Sequence, residues 1–362
     1  MAVAKALTIA GSDSGGGAGL QADLKTFQEL GVYGMSVVTA VTAQNTLGVH
    51  GVYPLSVDAV ERQLWALGED LPPDALKTGM LHDGDLIRVT AEAVRRYGWG
   101  RLVIDPVMLA KGGAALLRPE AVAALIGCLL PLAALVTPNL PEAEALSGLR
   151  ITDDASRRSA ALRIHAYGAA CVVIKGGHDE GDAAQSTDLL YDGERFVTFT
   201  GPRLATRHTH GTGCTFAAAA AAGLARGQTV AEAVGLAKRF VQAALAEPLE
   251  LGGGHGPTNH WAYRWQAAAR SDGFGVDGGG AAGRNGAQAY GSAEADADAS
   301  AWAGRVEAAA GTGAVRSAGV SASASAGAGA ASAGMSRNVD ERADADANPA
   351  SAAGYSSREG LS

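Results

Sequence analysis

Cysteine is scarce. The 362 residues hold three, Cys128, Cys171 and Cys214, an odd set with neither CxxC nor Cys/His metal spacing. That excludes a disulfide framework and a zinc cluster, and it reads as the reduced thiols of a cytoplasmic protein. Basic charge is not in excess either: 29 Lys and Arg stand against 37 Asp and Glu, a formal charge of −8. Such a balance leaves no footprint for nucleic acid as a partner. The N-terminal ALTIAG is too short for a signal-peptide core and has no cleavage pattern after it. One charge-free run, AVAALIGCLLPLAALVTPNLP at 121–141, is long enough to span a bilayer. Gly127 and Pro131 cut it into a helix-sized and a strand-sized piece, so the expectation is a buried helix–turn–strand and no membrane partner.

Large aliphatic and aromatic residues nearly vanish beyond position 268. Ala, Gly and Ser dominate there, as in SAGVSASASAGAGAASAG at 317–334. Such a segment buries too little apolar area to offset its ordering entropy, and disorder is the expected state. The near-repeats RADADA and AEADADA are echoes of composition, not a solenoid period.

The first 267 residues alternate strand-like and helix-like patterns. KALTIAG (5–11) is an apolar run, followed by Leu20, Leu24, Phe27 and Leu30 at helical spacing. GMSVVTAVTAQ (34–44) returns as a strand, and Val57, Val60, Leu64 and Leu67 mark a second helix. DALKTGM, RLVIDPVM, LAALVTPN and ACVVIKGG each end an apolar run in Gly, Pro, Asn or a neighbouring polar residue. STDLLYDG and ERFVTFTG (186–201) predict a hairpin turning at Asp192-Gly193. The sum is α/β: a mostly parallel central sheet with helices on both faces, whose sites lie beyond the carboxyl ends of the strands.

The special residues fall at those ends. GSDSGGGAGLQADLKTF (11–27) lacks the Gly-Lys-Ser/Thr of a phosphate loop, and Leu20 stands where a dinucleotide fingerprint needs Gly or Ala. What remains is a glycine loop feeding a helix with Asp23 in its first turn, either a tight connection or a place for close backbone approach to a ligand. Gln44 can donate and accept at once, which suits the edge of a heteroaromatic ring, and Met80 can pack on a ring face. Asp105, Asn139 and Glu142 cluster at neighbouring strand ends. Carboxylates there can hold Mg²⁺ with phosphate oxygens completing the shell, although Asp-Pro and Asn-x-Pro are also ordinary turn and cap chemistry. Lys175 ends a buried strand, where a phosphate would match its charge.

HTHGTGCTFAAAA (208–220) joins glycines to an alanine helix. Gly211, Thr212 and Gly213 can present free amides at the positive end of the helix dipole, an anion hole suited to a migrating phosphoryl group. Cys214 sits at that terminus, where a lowered pKa would let it accept a proton from an attacking hydroxyl. A covalent role for Cys214 would need a positioned histidine. His208 and His210 are near in sequence, but no Asp or Asn partner for them is evident.

ALTIAGSDSGGGAGLQADLKTF, TAVTAQNT, KTGML, VIDPVMLAKGG, TPNLPEAEAL, VIKGGH, THGTGCT and GHGPTNH occur in order. Together they resemble the bacterial hydroxymethylpyrimidine/phosphomethylpyrimidine kinases of thiamine biosynthesis, in the ribokinase-like group. The resemblance spans roughly 5–265 and implies a ribokinase-like three-layer α/β/α domain over 1–267, with 268–362 as a tail that has no counterpart. It implies ATP and Mg²⁺, a pyrimidine alcohol phosphorylated twice, and a homodimer. It places Gln44, Gly11 and Met80 on the pyrimidine, Cys214 as base, and Gly211 and Gly213 in the anion hole. Asp105 and Glu142 fall on the metal, Asn139, Lys175 and Lys238 on the nucleotide. Pyridoxine or pyridoxal kinase shares the fold and is the nearest alternative, with a catalytically silent ligand-binding regulator beyond it.

Overall fold

A computed structural model describes residues 2–110, 113, 116–177 and 184–271. The apolar runs become strands of one sheet: β1 (Lys5–Asp13), β2 (Tyr33–Asn45), β3 (Gly48–Pro54), β4 (Ala75–Thr78), β5 (Leu102–Ile104), β6 (Ala133–Val136), β7 (Val172–Ile174), β8 (Gln185–Tyr191) and β9 (Phe196–Pro202). Their order across the sheet is β3-β2-β1-β4-β5-β6-β7-β8-β9. Neighbours from β2 to β7 run parallel, while β3, β8 and β9 are antiparallel at the two edges. The sheet is therefore mixed, with the parallel centre expected.

Alternation along the central strands sends side chains into two cores. Leu7 and Ile9, Leu102 and Ile104, and Val172 and Ile174 enter one core; Ala6, Val103 and Val173 enter the other. The first core is covered by α2 (Val57–Asp70), α3 (Gly84–Tyr97), α4 (Ala121–Ala124), α5 (Leu140–Ser147) and α6 (Asp154–Ala166). The second is covered by α1 (Gly19–Glu29), α7 (Thr212–Ala225), α8 (Val230–Ala246) and the start of α9 (Ala262–Ser271). This is the three-layer α/β/α arrangement. Both faces of the central strands are buried, which is why they read as continuous apolar runs.

Local signals set the helix ends. Asp83 caps α3 through the N–H groups of Asp85 and Leu86, and Gly98 closes it at φ 66°. Thr229 and Glu232 form a capping box at α8. The charge-free run divides as its glycine and proline imply. After α4 come a π turn (Leu125–Leu129), a 3-10 turn holding Pro131 (Leu130–Leu132) and then β6. Among the described residues no helix is long and apolar enough to cross a membrane. The Asp192-Gly193 hairpin forms between β8 and β9 with Gly193 at φ 97°.

Two expectations are adjusted. β3 was absent from the periodicity, because GVHGVYP carries two glycines and a proline on an edge strand with no alternating apolar face. Asp23 lies beyond the first turn of α1, which contains no acidic residue, and is fully buried. α9 runs to Ser271, past the change in composition at 268. The expected tail lies outside the described residues from 272 onward.

Candidate active site

β1 leads to β2 on one side, while β4 pairs with β1 on the other and leads on to β5. Oppositely directed connections leave a crevice beyond the strand ends. There a cavity of about 990 Å³ opens, and every residue given a site role from the sequence lines it.

A Cβ added to Gly11 would stand 3.0 Å from the Met80 sulfur, so these two residues meet across the β1–β4 boundary. Met80 is buried, with its carbonyl accepting from Thr39 Oγ1 at 2.6 Å. Gln44, at the end of β2, is partly exposed beside them.

The glycine loop between β1 and α1 is closed on itself. The Asp13 carboxylate accepts the N–H groups of Gly15 (2.8 Å), Gly17 (3.0 Å) and Ala18 (2.8 Å). These amides are consumed by a side chain of the same loop, so it is not a phosphate cradle. It is a wall. Gly211, at φ 83°, has no room for a Cβ because the Gly17 carbonyl occupies that space. The two glycine segments thus pack backbone on backbone, a closeness only glycine permits at positive φ.

That contact seats the start of α7. No side chain caps the helix, and Gly211, Gly213 and Cys214 face the cavity. The Thr212 N–H turns back to the Thr209 carbonyl at 3.3 Å, so it does not join the free amides. The Gly19 N–H, at the first residue of α1, favours a charged Cys214 sulfur. The starts of α1 and α7 thus lie side by side, as the crowding of Gly211 against Gly17 and Ala18 requires.

The expected lowering of the Cys214 pKa is overturned. Burial pushes the thiol up to about 12; Asp105 and Asp23 add to this, against Lys77 and the Gly19 N–H. The pull expected of the helix terminus does not prevail against loss of water and two nearby carboxylates. In the ligand-free site Cys214 is a thiol at neutral pH.

Lys77 went unremarked in the sequence. Its ammonium is 2.9 Å from Asp23, with both side chains wholly buried, and Thr8 Oγ1 donates to the same carboxylate at 2.6 Å. Burial works against the charge on Lys77; Asp23, then Cys214 and Asp105, hold its pKa above the ordinary lysine value. The lysine lines the cavity beside the catalytic candidates. A lysine inside the buried run DALKT was the available signal, the same kind that marked Lys175.

On the far side Lys175 Nζ lies 3.2 Å from Asp105 Oδ1. Its side chain is mostly buried, with 14% exposed. Asn139 and Glu142 form a reciprocal capping box at α5: Glu142 N–H donates to Asn139 Oδ1 (2.9 Å) and Asn139 N–H donates to Glu142 Oε2 (2.8 Å). Both residues also line the cavity, so their role as a cap does not remove them from it. Burial raises Glu142 to about 7, with Lys175 opposing and Asp105 reinforcing. Two carboxylates share one lysine here, and the missing positive charge fits a divalent cation. Among the described residues no three metal-ligating side chains cluster, so water and phosphate oxygens would have to complete its shell. Lys238 is engaged by Asp188 Oδ2 (3.0 Å) and the Ser186 carbonyl (2.8 Å), forming cavity wall near the β8 end.

The histidines also depart from expectation. His210 does have an acidic partner, Asp13, with Nε2 to Oδ2 at 2.8 Å. That nitrogen is directed at Asp13 and Gln44, which gives the covalent cysteine reading no support. His208 is buried against Gly256.

Comparison with known proteins agrees with this geometry. A family model described as phosphomethylpyrimidine kinase matches residues 13–259. The hydroxymethylpyrimidine/phosphomethylpyrimidine kinase of Bacillus subtilis strain 168 is 55% identical over 264 residues, covering 73% of this chain and 97% of that protein. Its counterpart in Haemophilus influenzae is 53% identical over 264 residues, covering 72% and 98%. Among solved structures, the ADP complex of Bacillus subtilis pyridoxal kinase aligns with a TM-score of 0.68 at 44% identity, over 73% of this chain and 99% of that one. Phosphomethylpyrimidine kinase from Clostridium difficile 630 aligns with a TM-score of 0.59 at 42% identity, over 66% and 97%. With a family model matching most of the described chain and relatives more than half identical over nearly their whole length, the chain belongs to the phosphomethylpyrimidine kinase family.

Proposed function

We propose that the chain uses ATP to phosphorylate the hydroxymethyl group of 4-amino-5-hydroxymethyl-2-methylpyrimidine, then phosphorylates that monophosphate to the diphosphate, in thiamine biosynthesis. The observation that carries this is the side-by-side start of α1 and α7 at Cys214, at one end of a cavity whose other walls supply a ring pocket and paired carboxylates. Gln44, Gly11 and Met80 hold the ring. The amides of Gly211, Gly213 and Cys214 receive the oxygens of the migrating phosphoryl group, where fixed donors stabilise developing charge without reorganisation. Asn139, Lys175 and Lys238 border the nucleotide phosphates. Mg²⁺ held by Asp105 and Glu142 would supply charge neutralisation to phosphate oxygens.

In the first step Cys214, a thiol in the ligand-free site, gives its own proton to solvent as the ligands load. Its thiolate then takes the hydroxyl proton while the substrate oxygen attacks the γ-phosphorus and the bond to the ADP oxygen breaks. Lys77 stands beside the sulfur to offset the charge that appears on it. In the second step the attacking phosphate oxygen is already ionised and needs no base. Product analysis by mass with the pyrimidine alcohol, ATP and Mg²⁺ tests the assignment: sequential gain of one and two phosphoryl groups is expected, and absence of any phosphorylated pyrimidine would refute it.

A pyridoxal-type ring is a second reading, favoured by the pyridoxal kinase structures from Bacillus subtilis and Staphylococcus aureus, which align at TM-scores of 0.68 and 0.69. Comparing kcat/KM for pyridoxal and the pyrimidine alcohol separates them, and we expect the pyrimidine to be preferred. As a homodimer, the chain would sediment at twice its monomer mass.

A further inference from the structure

The nitrogen of the Gln44 amide faces Nε2 of His210 at 3.3 Å, while its oxygen faces Thr42 Oγ1 at 3.1 Å. Neither contact can hold as written. Asp13 takes three backbone N–H groups on its carboxylate. Against burial, the bonds from His210 and from the amides of Ala18 and Gly15 keep it below its ordinary value. It is an acceptor only, so the 2.8 Å contact with His210 Nε2 requires a proton on that nitrogen. An N–H of Gln44 would then face a nitrogen whose single hydrogen goes to Asp13; turned over, the Gln44 oxygen takes the longer, shared branch of that one N–H at 3.3 Å.

The other end of the amide has the same fault. Thr42 has one hydroxyl hydrogen, and the Ser12 carbonyl at 2.9 Å receives it. What Thr42 Oγ1 still offers Gln44 is a lone pair, which wants a donor and not an oxygen. The oxygen and nitrogen of an amide are distinguished by their partners, and both partners here demand the same half-turn.

We infer that the Asp13–His210 pair locks the Gln44 amide with Oε1 toward His210 and Nε2 toward Thr42, and that this fixed polarity makes His210 a specificity-determining, positioning residue. The inference rests on the proposed contact of Gln44 with the substrate ring. An aminopyrimidine edge presents an amine donor next to a ring-nitrogen acceptor. Against the locked amide the amine lies on the His210 side, bonded to Oε1, and the ring nitrogen on the Thr42 side, bonded to Nε2–H. A 4-oxo pyrimidine presents the reverse order, an acceptor and then an N–H, and meets two clashes of like polarity. A free amide would turn and accept it; a locked one cannot.

The test compares kcat/KM for the 4-amino alcohol and its 4-oxo analogue in four proteins: wild type, His210→Leu, His210→Gln and Gln44→Ala. Wild type is expected to favour the amino compound by at least about 100-fold, the scale of two mismatched buried hydrogen bonds. His210→Leu is expected to shrink that ratio by tenfold or more, chiefly by gain of activity on the oxo compound. His210→Gln, which can return an N–H to both partners, keeps most of it. Circular dichroism establishes that each variant is folded. If Gln44→Ala abolishes discrimination while folded His210→Leu keeps it, the lock is wrong and the ring contact stands. If Gln44→Ala keeps discrimination, the ring contact itself is wrong. A His210→Leu protein that loses rate equally on both substrates also overturns the lock, since a purely structural role would act that way.

Discussion

Lys77 and Asp23 form an ion pair at 2.9 Å with both side chains wholly out of water, one in β4 and the other in α1. The pair ties the sheet to the helix whose first amide favours a charged Cys214 sulfur. Removing one partner strands the other charge in the interior. Lys77→Met is expected to destabilise the fold by about 3–5 kcal/mol, and the double variant Lys77→Met/Asp23→Asn to recover most of that. Urea unfolding followed by far-UV circular dichroism measures both. The double variant should stay slow in the first phosphorylation, because the cation beside the sulfur is gone.

On the proposed mechanism Cys214 serves the first chemical step and not the second. Cys214→Ala should slow the first phosphorylation by about 100-fold or more, the usual worth of a positioned base, and the second by less than about tenfold. Single-turnover quench measurements on each substrate separate them; equal losses would contradict the division of labour. The raised thiol has its own signature. Burial, and then Asp192, push Cys171 up to about 11, while Cys214 stands at about 12. With iodoacetamide at neutral pH, mass mapping should find Cys128 alkylated ahead of both.

The α5 cap and the carboxylate pair share an atom group. Glu142→Gln should raise the Mg²⁺ concentration for half-maximal rate by about tenfold or more, as loss of one of two anionic ligands requires. Asn139→Ala keeps the carboxylate but loses its partner, costing about 1 kcal/mol of stability. It should raise the Mg²⁺ requirement by a smaller factor. Magnesium titrations of the steady-state rate rank the two variants.

His260 sits buried behind α7, its Nε2 3.0 Å from Thr215 Oγ1. Burial lowers its pKa from 6.5 to about 4, with Lys25 adding to the effect. Between those values the unfolded chain binds a proton that the folded chain does not, so stability falls as the pH drops from about 6.5 toward 4. The full effect is roughly 3 kcal/mol. His260→Asn should flatten this part of the stability profile, read from unfolding midpoints across the range.

Much of this site was legible along the chain because its parts sit at strand ends marked by local breaks: Gly11, Asp105, Asn139 and Lys175 each follow an apolar run. The Asp192-Gly193 hairpin and the division of the charge-free run were local signals too. What escaped was long-range pairing of polar groups. Lys77 meets Asp23 across 54 positions and His210 meets Asp13 across 197, and no periodicity encodes such a partner. The Cys214 pKa was misread for a related reason: the helix end is a local feature, whereas the desolvation and the two carboxylates that outweigh it arrive from elsewhere in the fold.

Positions 217–222 of α7 are all alanine and wholly inaccessible. One methyl group per residue is then the spacer between the catalytic turn and the sheet beneath it. Making room for a bulkier ring has to work at Met80, since Gly11 opposite it has no side chain left to remove. Thickening the alanine layer would lift the whole helix and carry its leading amides away from the cavity that they line.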